Sequence, residues 1–330
     1  MNCYYFYCGE KAAETEKILP GEIAEWLRSP ELRKIVEVFG GKYSQNMSID
    51  QIAGWLLEFS DHWDYRGKQR TAREAGTGEA ARWMINNDSI TDVQRETVLA
   101  NIEKLGLRGI SKPRYEQYDY VVALGGARMS CLLRPRYIKE LLDKNIISAG
   151  AVVLLSGMRP VGDSERDATD SYAPGAQTEY DLINAGAENV FGLRKEYVEE
   201  RYCCPEPNRS WAIRTYTSSG FSFPILSVSG PSSQPEIRRA NSADTFRFLA
   251  KRRQIQPGSK ILLITSQIYV PYQQMEAIRT WALPNNVYVE TVGFPVEWNE
   301  GRQQGMMTAA NYLQEIRSAI QAINRYLRER

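Results

Sequence analysis

Histidine is nearly absent from this chain: among 330 residues only His62 occurs. That scarcity excludes much chemistry. Serine and cysteine hydrolases of the usual kind need a histidine base beside the nucleophile, and zinc sites draw on histidine or clustered cysteine. His62 lies beside Trp63 in a helix-like stretch and reads as structural. No charge of either sign dominates. The formal net charge is +1, so nothing recommends nucleic acid or an anionic membrane as a partner. Apolar runs of about 18 residues are missing, which argues against a transmembrane helix. The opening "MNCYYFYCGEKAAE" lacks a basic head and an apolar core, so no secretory signal is expected. Cysteines number five, and Cys203 and Cys204 are adjacent rather than spaced as a clamp. An odd, sparse set fits reduced thiols in a cytoplasmic compartment.

What the chain does contain falls into two patterns. Residues 1–112 read as a helical N-terminal subdomain. Ile23, Trp26, Leu27, Leu32, Ile35, Val36 and Phe39 recur at three- and four-residue spacings, the stripe of an amphipathic helix pair. Ser48 with Gln51 has the form of a capping box, and Thr91 caps a further helix that Gly106 stops. Between them "GTGEAAR" reads as a helix–helix turn, because no strand precedes it as a phosphate loop requires.

From residue 113 to 330 the period changes. "YDYVVALGG", "AGAVVLLSGMRP", "SKILLITSQIYV" and "NNVYVETVGFP" are apolar runs of the kind a parallel strand shows when covered on both faces. "NVFGL" reads as a further short strand. "RYIKELLDKN", "QTEYDLINAGA", "SADTFRFLAKRRQI", "PYQQMEAIRTWAL" and the closing "NYLQEIRSAIQAINRYLRER" read as helices. Residues 200–236 read as a long loop bordering the pocket. Strand–helix alternation predicts an α/β fold with a doubly wound, mostly parallel, Rossmann-like sheet.

Ligands of such sheets sit at the carboxyl ends of the strands, where backbone N–H groups are free. "YDYVVALGGARMS" places Gly125 and Gly126 there for a tight turn and close approach, with Arg128 to meet a phosphate or carboxylate. Ser156, Gly157 and Arg159 follow the second strand, and Thr265 and Ser266 end a later one. Asn241, Ser242 and Asp244 stand at a helix start beside Arg239. Each could be only a cap; together they suit a polar pocket. Glu179 and Asp244 are the candidate general bases, and Arg128 and Arg159 the anion binders. The acidic, Gly/Pro-containing loop "RPVGDSERDATDSYAPGAQTE" could close over the site as a lid, or its Asp163, Glu165, Asp167 and Asp170 could hold a divalent cation, but an unpatterned acidic run reads better as a solvated loop. No metal is expected.

The order of these motifs resembles the YdcF/SanA/ElyC-like family of bacterial Rossmann-type proteins over about residues 117–325. Gly125, Gly126 and Arg128 match its first turn, Ser156 and Gly157 its second, and Glu179 its acidic helix residue. Asn241, Ser242 and Asp244 match its S-R-N-T-x-E-N-like motif, and Thr265 and Ser266 its T-S strand end. Tyr269 and Tyr272 stand where that family often has histidine and arginine, and Arg239 and Ala240 where serine and arginine are usual. The resemblance implies the soluble branch and brings in S-adenosylmethionine as a cofactor. Against methyl transfer, the second strand ends on Ser156-Gly157 where a ribose-binding acid would stand. The reading is therefore a small-molecule protein with a nucleotide-like or phosphorylated ligand. It is an enzyme of transferase or hydrolase type or, alternatively, a non-catalytic sensor acting through the N-terminal helices.

Overall fold

The computed structural model describes residues 3–66, 85, 87–217, 220–299 and 307–330. The expected turn "GTGEAAR" lies outside these. Four helices are described before the sheet: α1 (Ala12–Leu27), α2 (Pro30–Val38), α3 (Ile49–Phe59) and α4 (Asp92–Asn101). Their starts follow the capping chemistry. Ser29 accepts from Leu32 N–H ahead of Pro30, and Ser48–Gln51 and Thr91–Gln94 close reciprocal boxes. The apolar stripe is buried as spaced, from Ile23 and Trp26 through Leu32, Ile35 and Val36. Phe39 is half-buried against the same core.

The sheet has seven strands: β1 (Gln117–Leu124), β2 (Ser148–Ser156), β3 (Tyr197–Tyr202), β4 (Trp211–Tyr216), β5 (Ile225–Ser229), β6 (Lys260–Ser266) and β7 (Tyr288–Phe294). Their order is β3-β4-β5-β2-β1-β6-β7. The five from β5 to β7 run parallel; β4 is antiparallel to β5 and to β3. In the centre Val122 pairs with Val153 on one side and Leu263 on the other. Buried aliphatic side chains there contribute roughly 1.5–3 kcal/mol each.

The main helices after β1 are α5 (Ser130–Asp143), a short α6 (Asp163–Thr169), α7 (Glu179–Phe191), α8 (Ser242–Arg253), α9 (Val270–Ala277) and, following the last strand, α10 (Ala309–Arg328). A π turn over residues 278–282 follows α9 directly. Helices α5 and α7 pack against each other so closely that a Cβ on Gly186 would collide with the Cys131 carbonyl. Helix α9 packs on α10, and α10 on α3. Asn324 of α10 donates to Ala53 O of α3 at 2.9 Å. The N-terminal helices thus share one hydrophobic core with the sheet.

Two expectations are corrected. Residues 189–191 of "NVFGL" are the last turn of α7, which Gly192 ends in the left-handed region at φ +63°. The stretch 200–236 is not a loop: it supplies the end of β3 and all of β4 and β5. β3 is an edge strand with exposed charges, and β5 is five residues carrying two serines. Neither shows the long apolar run of the central strands.

Candidate functional site

The two glycines after β1 make room for the protein's own side chains. Gly125 N–H still donates to Leu155 O at 2.6 Å, so pairing with β2 extends one residue past the strand. A Cβ there would run into the Glu179 carboxylate and lie 2.8 Å from Ser156 Cβ. At Gly126 it would lie 2.9 Å from Ser130 Cβ and 3.1 Å from Arg134 Nη1. Arg128 completes the turn at φ +52°, an uncommon conformation for a residue with a side chain. Tyr172 holds it there, donating to Arg128 O at 2.6 Å.

Both candidate anion-binding arginines meet carboxylates of the chain itself. Arg159 Nε lies 3.1 Å from Glu179 Oε2, while Nη1 and Nη2 grip Glu165, the latter at 3.1 Å. Arg128 makes a two-pronged pair with Asp167 at 2.9 and 3.1 Å and also reaches Ser164 O. Glu165 further accepts from Gly162 N–H at 3.0 Å and Arg128 N–H at 3.2 Å. Burial pushes the Glu165 pKa up, but these hydrogen bonds, from Arg159 above all, outweigh it and hold the group below the usual range. Glu165 is 1% exposed, which corrects the solvated-loop reading for that residue. Asp163, Asp167 and Asp170 are exposed, but Asp163 and Asp167 stand on the short helix α6 rather than in a loop. Among the described residues no group of three histidines, cysteines or acids could hold a metal ion.

The other strand ends adjoin this network. Ser156 of β2 stands in register with Ser229 of β5. The hydroxyls of Ser156, Ser229 and Thr265 are all buried and have no hydrogen-bond partner among the described residues. Arg134 of α5, buried, bridges the rim from β1 to β6. It donates to Leu124 O at 2.7 Å, to Gly125 O, and to Ser266 Oγ at 3.3 Å, and it stacks over the Tyr269 ring at 5.9 Å. Cys131 next to it donates to Gly126 O, and burial, with Glu179 nearby, pushes its thiol up to about 12.

The start of α8 is built differently. Asn241 accepts from Asp244 N–H at 3.1 Å and Asp244 accepts from Asn241 N–H at 3.0 Å; Ser242 is the first helical residue. Asp244 also pairs with Arg238. Burial raises its pKa, but the hydrogen bonds from Arg238, Ser233 and Asn241 N–H bring it below the ordinary value. Arg239, preceding the cap, lines a crevice with Gly157, Arg159, Ser210 and Gly230. That crevice is about 10 Å³, room for about one water.

The structure therefore gathers Gly125, Gly126, Ser156, Gly157, Arg159 and Glu179 at one place, with Arg128 beside them and Ser266 and Tyr269 linked through Arg134. Asn241, Ser242 and Asp244 are not brought into this group: they form the start of α8, and only Arg239 and Ala240 before them line the crevice. Arg134, Tyr172 and Ser229 are residues that sequence reasoning misses, and Glu165 enters it only as one of four acids weighed as a cation site. Arg134 left one signal, a lone charge within "SCLLRP" on an otherwise apolar stretch.

A family model for the Rv3785 N-terminal domain matches residues 9–106. Three mycobacterial proteins match almost the whole chain: uncharacterized proteins Rv3785 and MT3893 of two Mycobacterium tuberculosis strains, and Mb3814 of Mycobacterium bovis. Each is 35% identical over 311 residues, 90% of this chain and 86% of the relative. The chain belongs to the Rv3785 family. This overturns the resemblance to YdcF/SanA/ElyC-like proteins, and the expectation of S-adenosylmethionine, which rested on it, falls with it. The motifs behind that resemblance are short polar turns at strand ends, which unrelated parallel α/β sheets share. In this Rv3785-family chain the first two turns are shaped around internal ion pairs. No solved structure matches the chain. Among the described residues no helix is long and apolar enough to cross a membrane.

Proposed function

We propose that the carboxyl rim of the sheet binds a phosphorylated or nucleotide-like small molecule, with Glu179 as the base of a transferase- or hydrolase-type reaction. One observation carries the reading: Ser156 and Ser229, paired at the ends of β2 and β5, present buried, partnerless hydroxyls on one face of the sheet, with Glu179 and Arg159 alongside Ser156. Buried polar groups are normally satisfied, and an adjacent pair of exceptions suits a site that a ligand or ordered water completes. The strand order supports a Rossmann-like frame: β5-β2-β1-β6-β7 reverses direction of growth at β1, where such sheets take ligands. So do the two helix groups, α5 with α7 and α9 with α10, both packed on the sheet. Glu179 suits proton transfer because the missing side chain of Gly125 leaves room for its carboxylate at the rim, where Gly157 N–H also reaches it at 3.4 Å.

A second reading, a non-catalytic ligand sensor, is favoured by how full the rim is. Arg128 and Arg159 both hold internal carboxylates, so a ligand would have to rearrange them, which is a signal in itself. A thermal-shift panel of nucleotides and sugar phosphates tests the common claim. A ligand at a hundred times its dissociation constant adds about 2.7 kcal/mol, and no shift from any member would reject it. Turnover of the ligand found, abolished in Glu179→Gln with binding retained, separates enzyme from sensor.

A further inference from the structure

The segment 160–178, between β2 and α7, lies as a strap over the glycine turn. Its two ends are stitched together where Pro160 bridges Thr178 and Val161 N–H donates to Gln177 O at 2.9 Å. Its middle is fastened by Glu165 and Asp167 from the strap side and by Tyr172, which donates to the Arg128 carbonyl.

Three of the donors to the Glu165 carboxylate lie off the strap: two guanidinium N–H groups of Arg159 and the backbone N–H of Arg128, which the left-handed turn there aims. The fourth, Gly162 N–H, belongs to the strap and moves with it. A planar guanidinium fork with backbone N–H groups from a turn is the donor set that binds carboxylates and phosphates. The neighbouring fork of Arg128 is filled in the same way by Asp167. We infer that this cradle is an oxyanion site, occupied in the closed state by the chain's own Glu165, and that a phosphorylated small molecule enters by displacing the strap. The inference deepens the reading above and rests on it for the ligand's place at the rim.

The shape of the network supports this. The strap contributes acids whereas the turn and β2 loop contribute the arginines, so lifting the strap leaves cationic groups facing the rim. Glu179, which stays behind on α7, still compensates Arg159 in the open state. Asp167 is 57% exposed at its side chain and is the outer fastening. Competition between a tethered carboxylate and a free anion makes binding cooperative with opening.

The test uses the full chain and its Glu165→Ala variant, titrated with inorganic phosphate and with acetate against chloride at fixed ionic strength. The emptied cradle is expected to bind phosphate at least about tenfold more tightly than wild type, with a melting temperature rise of about 3 °C or more. Acetate rescue without phosphate rescue would assign the site to carboxylates and overturn the phosphate assignment. Equal salt responses in variant and wild type would overturn the site itself. Should Glu165→Ala not fold, Asp167→Asn replaces it, since that side chain is largely in solvent. Phosphate should then speed amide exchange across residues 160–178 and bind more tightly than to wild type; unchanged or slower exchange would overturn the inference. The two claims fail separately. A panel ligand on wild type with no anion effect in the variants removes only the cradle, and the converse result removes only the broader reading.

Discussion

Two glutamates buried at opposite ends of the sheet show how differently one residue type can be housed. Glu165, at the carboxyl rim, is 1% exposed and surrounded by Arg159 and two backbone N–H groups. Glu290, near the amino end of β7, is 2% exposed and meets Tyr118 OH at 2.6 Å, Tyr288 OH at 3.2 Å and Arg114 N–H at 2.9 Å. Burial alone pushes both pKa values up. At Glu165 the guanidinium reverses that, and the value falls below the ordinary one. At Glu290 the Tyr118 and Tyr288 hydroxyls, the Arg114 N–H and the Arg114 charge together offset only part of it, and the value stays raised. A guanidinium in direct contact favours the buried ion more than hydroxyl donors with a cation nearby.

Removing the cation should break the contrast most. Arg159→Met would leave Glu165 and Glu179 buried without their partner and cost roughly 3–5 kcal/mol at pH 7 by urea denaturation. The loss should shrink toward pH 4, where Glu165, no longer held below the ordinary range by the guanidinium, can take up a proton; an equal loss at both pH values would contradict the pairing. Gly125→Ala comes next. Its Cβ forces Glu179 or Ser156 to move, for about 1–3 kcal/mol, and wild-type stability in that variant would show that the rim is not tightly packed around Gly125.

Glu290→Gln sharpens the other half. A raised folded pKa means that Glu290 contributes stability below its unfolded value, near 4.5, and that this is lost as pH rises through the folded value. The amide does not titrate, so the variant should gain on wild type as pH rises from 4.5, by about 1 kcal/mol. Glu165 has the opposite sign: its contribution is present above 4.5 and fades as pH falls through the depressed folded value. A variant-minus-wild-type curve for Glu290→Gln that is flat with pH would remove the distinction. The smallest effect is expected for Asp167→Asn, about 0.5 kcal/mol, since the Asp167 side chain is 57% exposed, although the Arg128 guanidinium it meets is buried. A large loss there would place Asp167 among the buried groups instead.

Much of this was legible in the sequence, and the failures have causes. β1, β2, β6 and β7 announce themselves because strands covered on both faces are continuously apolar. β3 and β5 do not, because "YVEERY" is an edge exposed to water and "ILSVS" carries hydroxyls into the sheet. The capping boxes at Ser48, Thr91 and Asn241 were local and readable; Asn241–Asp244 shows that such a local signal can coincide with a candidate site. The glycine turn was visible too, but not its occupant. Glu165 meets Arg128 from 37 residues away, and an acid among other acids gives no sign of which one turns inward. The resemblance to another family failed for a related reason: short turns report the chemistry of strand ends, not ancestry.

The contact of Gly186 with the Cys131 carbonyl sets what can shift at the rim. Helices α5 and α7 touch backbone to backbone there, with no side chain between them to act as a cushion. Arg134 and Glu179, one on each helix, are therefore fixed to a single bracket and cannot separate without prising the pair apart. Any reshaping that admits a guest must come from the part of the chain outside that bracket.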